Sequence, residues 1–227
     1  MTTTGQQIAD EAWVTLGDTN GATGVRWKTA EVLAGINEGQ RATVILRPEA
    51  YTVAGKLALA ADTRQTLAGC SVTNGIQVLR VLRNWSADSA TVGPAITRTA
   101  VAQLDVERPA WHSDTDTAVA HYDIDPSEPG AFYVWPKVTG GRRAEVIYSA
   151  VPPELASLAA NISLGDECRA ALRYYLLFYT LSKRVQGSQA ARSDAAGWYS
   201  LFTQALGLKG QAIATAAQAN AAKESQA

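Results

Sequence analysis

The segment that most constrains the fold spans residues 27–48, WKTAEVLAGINEGQRATVILRP. Charged and apolar side chains alternate in it at helical spacing, which predicts an amphipathic helix with one buried stripe. Thr29 is the expected N-cap, and Arg47 followed by Pro48 predicts where the helix ends. The predicted stripe consists of Val32, Leu33, Ile36 and Val44.

The centre of this helix, Asn-Glu-Gly-Gln-Arg at residues 37–41, is unusual. Gly39 falls in the helix interior, where glycine costs about 1 kcal/mol relative to alanine. Gln40 and Arg41 carry forked hydrogen-bond donors that suit a neighbouring chain. A solvated helix face, with a glycine that lets two helices of one chain pack together, explains the same residues. The spacing alone leaves both interpretations open.

Helical periodicity concentrates at the two ends of the chain. A short helix is predicted at residues 4–16, and two more at residues 166–184 and 188–207. Apolar side chains nearly encircle the helix at 166–184, so it must be covered on most sides. A neighbouring subunit or other helices of the same chain would both provide that cover. The residues concerned include Tyr174, Leu177, Phe178 and Leu181.

The middle of the chain alternates with a β-like period. Residues 51–67 favour β structure, and residues 75–83 fit a strand or a helix, with β-branched residues favouring the strand. A short helix is expected at residues 96–107. Three strands joined by short turns then predict an antiparallel meander; they are residues 119–124, 131–135 and 142–150.

The predicted fold class is therefore α+β, with a helical bundle from the N- and C-terminal segments and a central antiparallel β-rich insertion. The expected boundaries are residues 1–50 and 151–207 for the bundle, 51–150 for the insertion and 208–227 for a C-terminal tail. The tail is rich in Ala and Gln and has little to bury, so we expect it to fray or to order on a partner.

Composition limits the function classes. Hydrophobic residues make up 47% and charged residues 18% of the chain, as in folded proteins. The net charge of -1 argues against general nucleic-acid binding through a basic surface, although DNA sliding along a channel stays compatible. No apolar run approaches ~20 residues, and the N-terminus lacks the features of a signal peptide, so assembly in the cytoplasm is expected. Cys70 and Cys168 are expected to be buried thiols.

Two groups of residues resemble metal sites, and three tryptophans resemble a sugar platform. The metal candidates combine histidine with nearby aspartates, but polar strands and turns give the same pattern, and the motifs of hydrolases and phosphate-binding loops are absent. No catalytic, metal or cofactor-binding residue is therefore predicted, and no cofactor. The metal candidates are His112, Asp114 and Asp116, and His121, Asp123 and Asp125; the tryptophans are Trp85, Trp111 and Trp135.

Landmarks along the chain resemble those of the head-to-tail adaptor proteins of short-tailed phages. The resemblance spans residues 27–206, and none is found over the last twenty or so residues. It rests on the order and spacing of Trp27, Leu33, residues 37–41, 46–48, 63–67 and 83–84, Leu104, Asp105, Pro109, Trp111, and residues 125–126, 132–136, 148–150, 179–183 and 198–206.

The resemblance implies a structural protein of the virion neck without catalytic activity. Such adaptors form rings, typically of about twelve copies, between the portal and the tail nozzle or tail tube, and double-stranded DNA passes through the lumen without specific binding. A host-surface binding module built on the β meander is the alternative.

Within that expectation, two sets of residues are candidates for contacts. The subunit interface is expected to use both unusual helices, at Asn37, Glu38, Gln40, Arg41, Tyr174, Leu177, Phe178 and Leu181. The tail is expected to bind the portal through Lys209, Gln211, Ile213 and Gln218, so that its deletion abolishes attachment and leaves the fold intact.

Overall fold

The computed structural model describes residues 3–18, 24–139, 141–183 and 189–207. The helices in these ranges are α1 Gly5–Leu16, α2 Thr29–Leu46, α3 Val101–Glu107, α4 Arg169–Lys183 and α5 Gln189–Ala205. The strands are β1 Thr52–Ala58, β2 Arg64–Thr66, β3 Gly75–Trp85, β4 Val92–Ala95, β5 Thr97–Arg98, β6 Thr115–Asp116, β7 His121–Ile124, β8 Ala131–Trp135, β9 Lys137–Val138 and β10 Arg143–Ala150. Two compact units result: unit 1, Met1–Ala50 with Pro152–Ala227, and unit 2, Tyr51–Val151.

Helix α4 is the centre of unit 1, because α1, α2 and α5 all pack against it. Leu172 and Leu176 are fully buried among these helices. On the α1 side, the carboxylate of Glu11 accepts hydrogen bonds from Arg169 and Arg173 of α4. Helices of the same chain therefore supply much of the cover that the apolar circumference of α4 demands.

Helices α2 and α4 approach closely at two glycines of α2. A Cβ atom on Gly35 would lie 2.7 Å from side-chain atoms of Leu176 and Tyr179, and one on Gly39 would lie 3.0 Å from the Tyr175 ring. The glycines leave room for these large α4 side chains. Gly39 thus serves helix packing inside the chain, one of the two interpretations that its sequence position allowed.

An aromatic cluster joins α4 to α5. The Phe202 ring is fully buried and meets the Tyr175 ring edge to face, with centroids 5.1 Å apart. Phe178 and Tyr199 extend the cluster, with centroids 5.0 Å apart. Edge-to-face contacts of this kind add to the free energy gained by burial, so the cluster fastens α5 to the rest of unit 1.

Unit 2 consists of two four-stranded sheets that share one core. Sheet A has the order β1-β10-β3-β4, and sheet B has the order β2-β8-β7-β5. Val78 and Val146 of sheet A and Phe132 and Val134 of sheet B are buried in the same hydrophobic cluster. Strands β6 and β9 form a separate two-stranded pair.

The predicted fold class is wrong in its description of one antiparallel insertion in a helical bundle. Helix α3 lies inside the middle segment, which forms several sheets, and the β5–β7 and β6–β9 pairs are parallel. The predicted meander is wrong for the same reason: β7 and β8 pair, whereas β10 joins β1 and β3 in sheet A. Alternation identifies the buried face of a strand but does not select its partner.

Local predictions fared better. Residues 75–83 lie in a strand, as favoured, and both cysteines are buried free thiols. Arg47 caps the C-terminus of α2, but the N-cap is Lys28 rather than Thr29, and it makes no side-chain hydrogen bond. Thr29 is instead the first helical residue, so α2 starts without the side-chain cap that the sequence indicated.

Candidate functional site

An open groove of about 630 Å³ runs along the exposed side of α2 in unit 1. We call it the α2 groove. Its walls come from α2, from α4 and from the segment that follows unit 2, so that residues distant in sequence form one surface. The lining residues are Ala30, Leu33, Ala34, Asn37, Glu38, Arg41, Glu154, Leu155, Tyr175 and Tyr179.

Two amides of the central α2 motif bind the chain's own backbone. Asn37 Oδ1 accepts from the Leu155 N–H at 2.8 Å, and Asn37 Nδ2 donates to the Leu155 carbonyl at 3.2 Å. Gln40 is 1% exposed, and its Oε1 accepts from the Ser163 N–H at 2.9 Å. Both residues therefore fix the segment between unit 2 and α4 onto α2, which leaves Gln40 without an outward-facing donor.

Glu38 and Arg41 of the same motif face solvent at the rim of the groove. Arg41 Nη2 lies 3.3 Å from Glu154 Oε1, and both side chains are largely exposed. An exposed ion pair of this type contributes at most about 1 kcal/mol. The pair therefore contributes little to the stability of unit 1.

The four expected contact residues on α4 are divided between interior and surface. Leu177 is 1% exposed and belongs to the interior of unit 1. Tyr174 is half-buried and stacks on Trp198 with centroids 5.9 Å apart. Phe178 is also half-buried, and Leu181 lines a second cleft beside α5. Tyr174, Phe178 and Leu181 are thus each partly exposed.

Seven of the ten residues that line the α2 groove were not among the predicted contact residues: Ala30, Leu33, Ala34, Glu154, Leu155, Tyr175 and Tyr179. Desolvation raises the pKa of Tyr175 to about 12, and the charge of Glu38 adds to the shift. Tyr175 therefore lines the groove with its hydroxyl in the neutral form at physiological pH. The sequence signal available for Tyr175 and Tyr179 was the run of large side chains around the helix at residues 166–184.

The metal candidates do not assemble into a site. His121 Nδ1 lies 2.7 Å from the Thr97 hydroxyl, while Asp123 accepts from Arg98 and from the Val101 N–H. Within the part of the chain that the structure describes, no group of three or more His, Cys, Asp or Glu side chains is arranged to hold a metal ion.

The tryptophans do not form a sugar platform. Trp111 is fully buried, its Nε1 donating to Asp105. The Lys56 ammonium covers the Trp85 ring at 3.3 Å, and His121 stacks on Trp135. Within the described residues of unit 2, 51–139 and 141–151, these tryptophans therefore give no support to the alternative of a host-surface binding module.

The expected portal-binding residues, Lys209, Gln211, Ile213 and Gln218, lie outside the described residues. In the described part of the chain, no helix combines the length and the apolar character needed to cross a membrane.

A family model described as SU10 adaptor protein matches residues 3–224 of the chain. The chain belongs to the SU10 adaptor protein family. No curated protein matches the chain significantly. The resemblance to phage head-to-tail adaptors is thereby confirmed, and the family match extends it at both ends, into α1 and through most of the tail.

As a member of an adaptor family, the protein is assigned a structural role as a virion component that interacts with other neck proteins. The lining of the α2 groove mixes apolar and polar side chains, with exposed charges of both signs on Glu38, Arg41 and Glu154.

Proposed function

We propose that this adaptor forms a homo-oligomeric ring between the portal and the tail nozzle or tail tube, and that the ring extends the DNA channel. About twelve copies form the ring, and double-stranded DNA passes through its lumen. Family membership supports the place in the neck. The α2 groove is the observation that carries the ring, because it offers each copy a surface for its neighbour.

A closed ring needs two different surfaces on each copy, since its contacts run head to tail. The α2 groove is one. The other is an apolar edge of α4 and α5 made by Phe178, Leu181, Tyr199 and Leu201; of these, Tyr199 is 39% and Leu201 37% exposed. Phe178 contacts Tyr199, and Leu181 and Leu201 line the same cleft, so the edge is continuous. Insertion of this edge into a neighbour's groove would bury apolar area on both copies.

Reversal of both rim charges tests the groove. In a Glu38→Arg/Arg41→Glu variant, side chains of the neighbour that match the rim would meet like charge, which costs several kcal/mol at an interface. We expect the protein concentration needed for ring assembly to rise at least tenfold. Native mass spectrometry and negative-stain images measure assembly, with portal added if the wild-type protein alone stays monomeric.

The matched control is a Lys28→Glu/Glu49→Arg variant, which reverses one charge of each sign at exposed positions outside the groove. It should assemble like the wild type. Equal assembly by the rim variant and the wild type would remove the groove from the ring contact. A wild-type protein that stays monomeric and does not bind the portal would overturn the proposed function.

The tail is proposed to attach the ring to the portal through Lys209, Gln211, Ile213 and Gln218. A chain ending at residue 208 is expected to lose binding to purified portal while its circular dichroism and thermal unfolding stay unchanged. Co-sedimentation with portal measures the loss. A truncated chain that binds the portal as well as the full chain does would assign attachment to another part of the adaptor.

A further inference from the structure

Positive charge concentrates on one face of unit 2, although the whole chain has a net charge of -1. Sheet A turns one face to the shared core and the other outward. Four basic side chains project from the outward face: Lys56 of β1, Arg143 of β10, and Arg80 and Arg83 of β3. We call these four residues the basic face.

The register of sheet A places these side chains together. Lys56, Glu145 and Arg83 lie directly opposite one another across β1, β10 and β3, and Arg80 pairs with Ile147. Residues three apart on a regular strand point to opposite faces. The register shift between Glu145 and Val146 leaves one extra residue, Leu82, in β3 between Val81 and Arg83, so that Arg80 and Arg83 share one face.

Neutral groups hold two of the four cations, Arg143 and Lys56, in place without cancelling their charge. The Arg143 guanidinium donates to the carbonyls of Ala87 and Lys56 at 3.1 and 3.0 Å. The Lys56 ammonium donates to the Ser89 carbonyl at 3.0 Å and lies over the Trp85 ring. Side chains fixed in this way lose little further entropy when they bind an anion.

Among the described strand residues of the outward face, Glu145 is the one carboxylate. It pairs with Arg83 at 3.4 Å and accepts from Trp85 Nε1 at 3.1 Å. The other acidic groups of unit 2 lie in loops, in α3 and in or beside the smaller strands, where several are paired, as in Asp123 with Arg98 and Glu128 with Arg64. Asp88, in the loop whose Ala87 and Ser89 carbonyls accept from Arg143 and Lys56, accepts hydrogen bonds from Ser86 and Ala90. Among the described residues, no ion pair joins Lys56, Arg80 or Arg143 to a carboxylate, and the four cations outnumber the two nearby carboxylates, Glu145 and Asp88.

We propose that the basic face binds the phosphate groups of double-stranded DNA. Cations on the outward face of a sheet provide the sequence-independent, electrostatic contact that a phosphate backbone accepts. The centre of a protein–protein interface is instead depleted of charge and rich in aromatic side chains. The inference deepens the proposed adaptor function, on which it rests, because it names the surface that meets DNA in the channel.

The test measures binding of the full-length protein to a short duplex by fluorescence anisotropy over a series of salt concentrations. A Lys56→Gln/Arg80→Gln variant removes two of the four cations from exposed positions. The slope of log K against log salt should decrease in magnitude by about 2, since each lost phosphate contact removes about one unit. Two duplexes of unrelated sequence should give the same result.

The matched control is Arg26→Gln/Lys28→Gln, which makes the same change in net charge at exposed positions of unit 1. It should bind DNA like the wild type. An equal loss in the control, or no binding by the wild type at low salt, would overturn the inference. Unchanged DNA binding with weaker ring assembly would assign the face to a subunit contact. Because binding is measured without requiring a ring, failure of ring assembly alone leaves the inference standing.

Discussion

Truncation of Phe202 to alanine is expected to lower the free energy of unfolding of unit 1 by about 4 kcal/mol, a value within the range measured for large-to-small changes in well-packed cores. The Phe202 ring is fully buried and contacts Tyr175 and Tyr199. Its removal leaves a cavity that the neighbouring rings fill only in part. Urea unfolding followed by circular dichroism reports on unit 1, which contains four of the five described helices.

Leu201 provides the matched control for this change. It precedes Phe202 in the same helix and is 37% exposed, so that Leu201→Ala should cost less than about 1.5 kcal/mol because less area leaves the core. If Phe202→Ala proves no more destabilising than Leu201→Ala, the aromatic cluster does not hold α5 in place. The difference between the losses of unfolding free energy in the two variants is the quantity that tests the prediction.

Helices were predictable from this sequence because their signal is local. The stripe of Val32, Ile36 and Val44 is buried as the spacing indicated, and only Leu33 keeps partial exposure at the groove. In an amphipathic helix the same few residues determine both the element and its buried face. The strand in residues 75–83 was favoured on similar grounds, by its β-branched side chains.

Roles that depend on distant partners were not predictable. Asn37 and Gln40 look like surface donors in the sequence, but their hydrogen-bond partners lie 118 and 123 positions further along the chain. Nothing near residue 40 indicates that Ser163 will lie against it. The motif that indicated a subunit contact therefore divides into two inward amides, a packing glycine, and the outward Glu38 and Arg41.

The net charge of the chain did not predict the basic face, because this surface also combines residues that are distant in sequence. It averages over the whole chain, whereas binding depends on which charges share a surface. The basic face depends on pairing of β10 with both β1 and β3 and on the register shift between Val81 and Arg83, neither of which alternation reveals. A near-neutral sequence can thus fold into a unit with one cationic face.

Gly35, the α2 glycine with the closest contacts to α4, lies outside the motif at residues 37–41. Replacement of Gly35 by valine is expected to lower the free energy of unfolding of unit 1 by about 3 kcal/mol, because overpacking a tight contact forces its neighbours to move. Even a bare Cβ would lie 2.7 Å from both Leu176 and Tyr179, and Leu176 is fully buried with no room to yield. The shift of the urea midpoint of the helical signal measures the effect.

Gly197 of α5 separates the steric effect from helix propensity. A Cβ on Gly197 would have no neighbour within 4 Å, so Gly197→Val should stabilise the protein by a few tenths of a kcal/mol, the difference in helix propensity between the two residues. Both variants place the same side chain at a helix-interior glycine, and only the contact with α4 differs. If the two variants shift the urea midpoint in the same direction, the close approach of α2 and α4 at Gly35 is not a determinant of stability. Opposite shifts show that Gly35 is needed because Leu176 and Tyr179 occupy the space beside it.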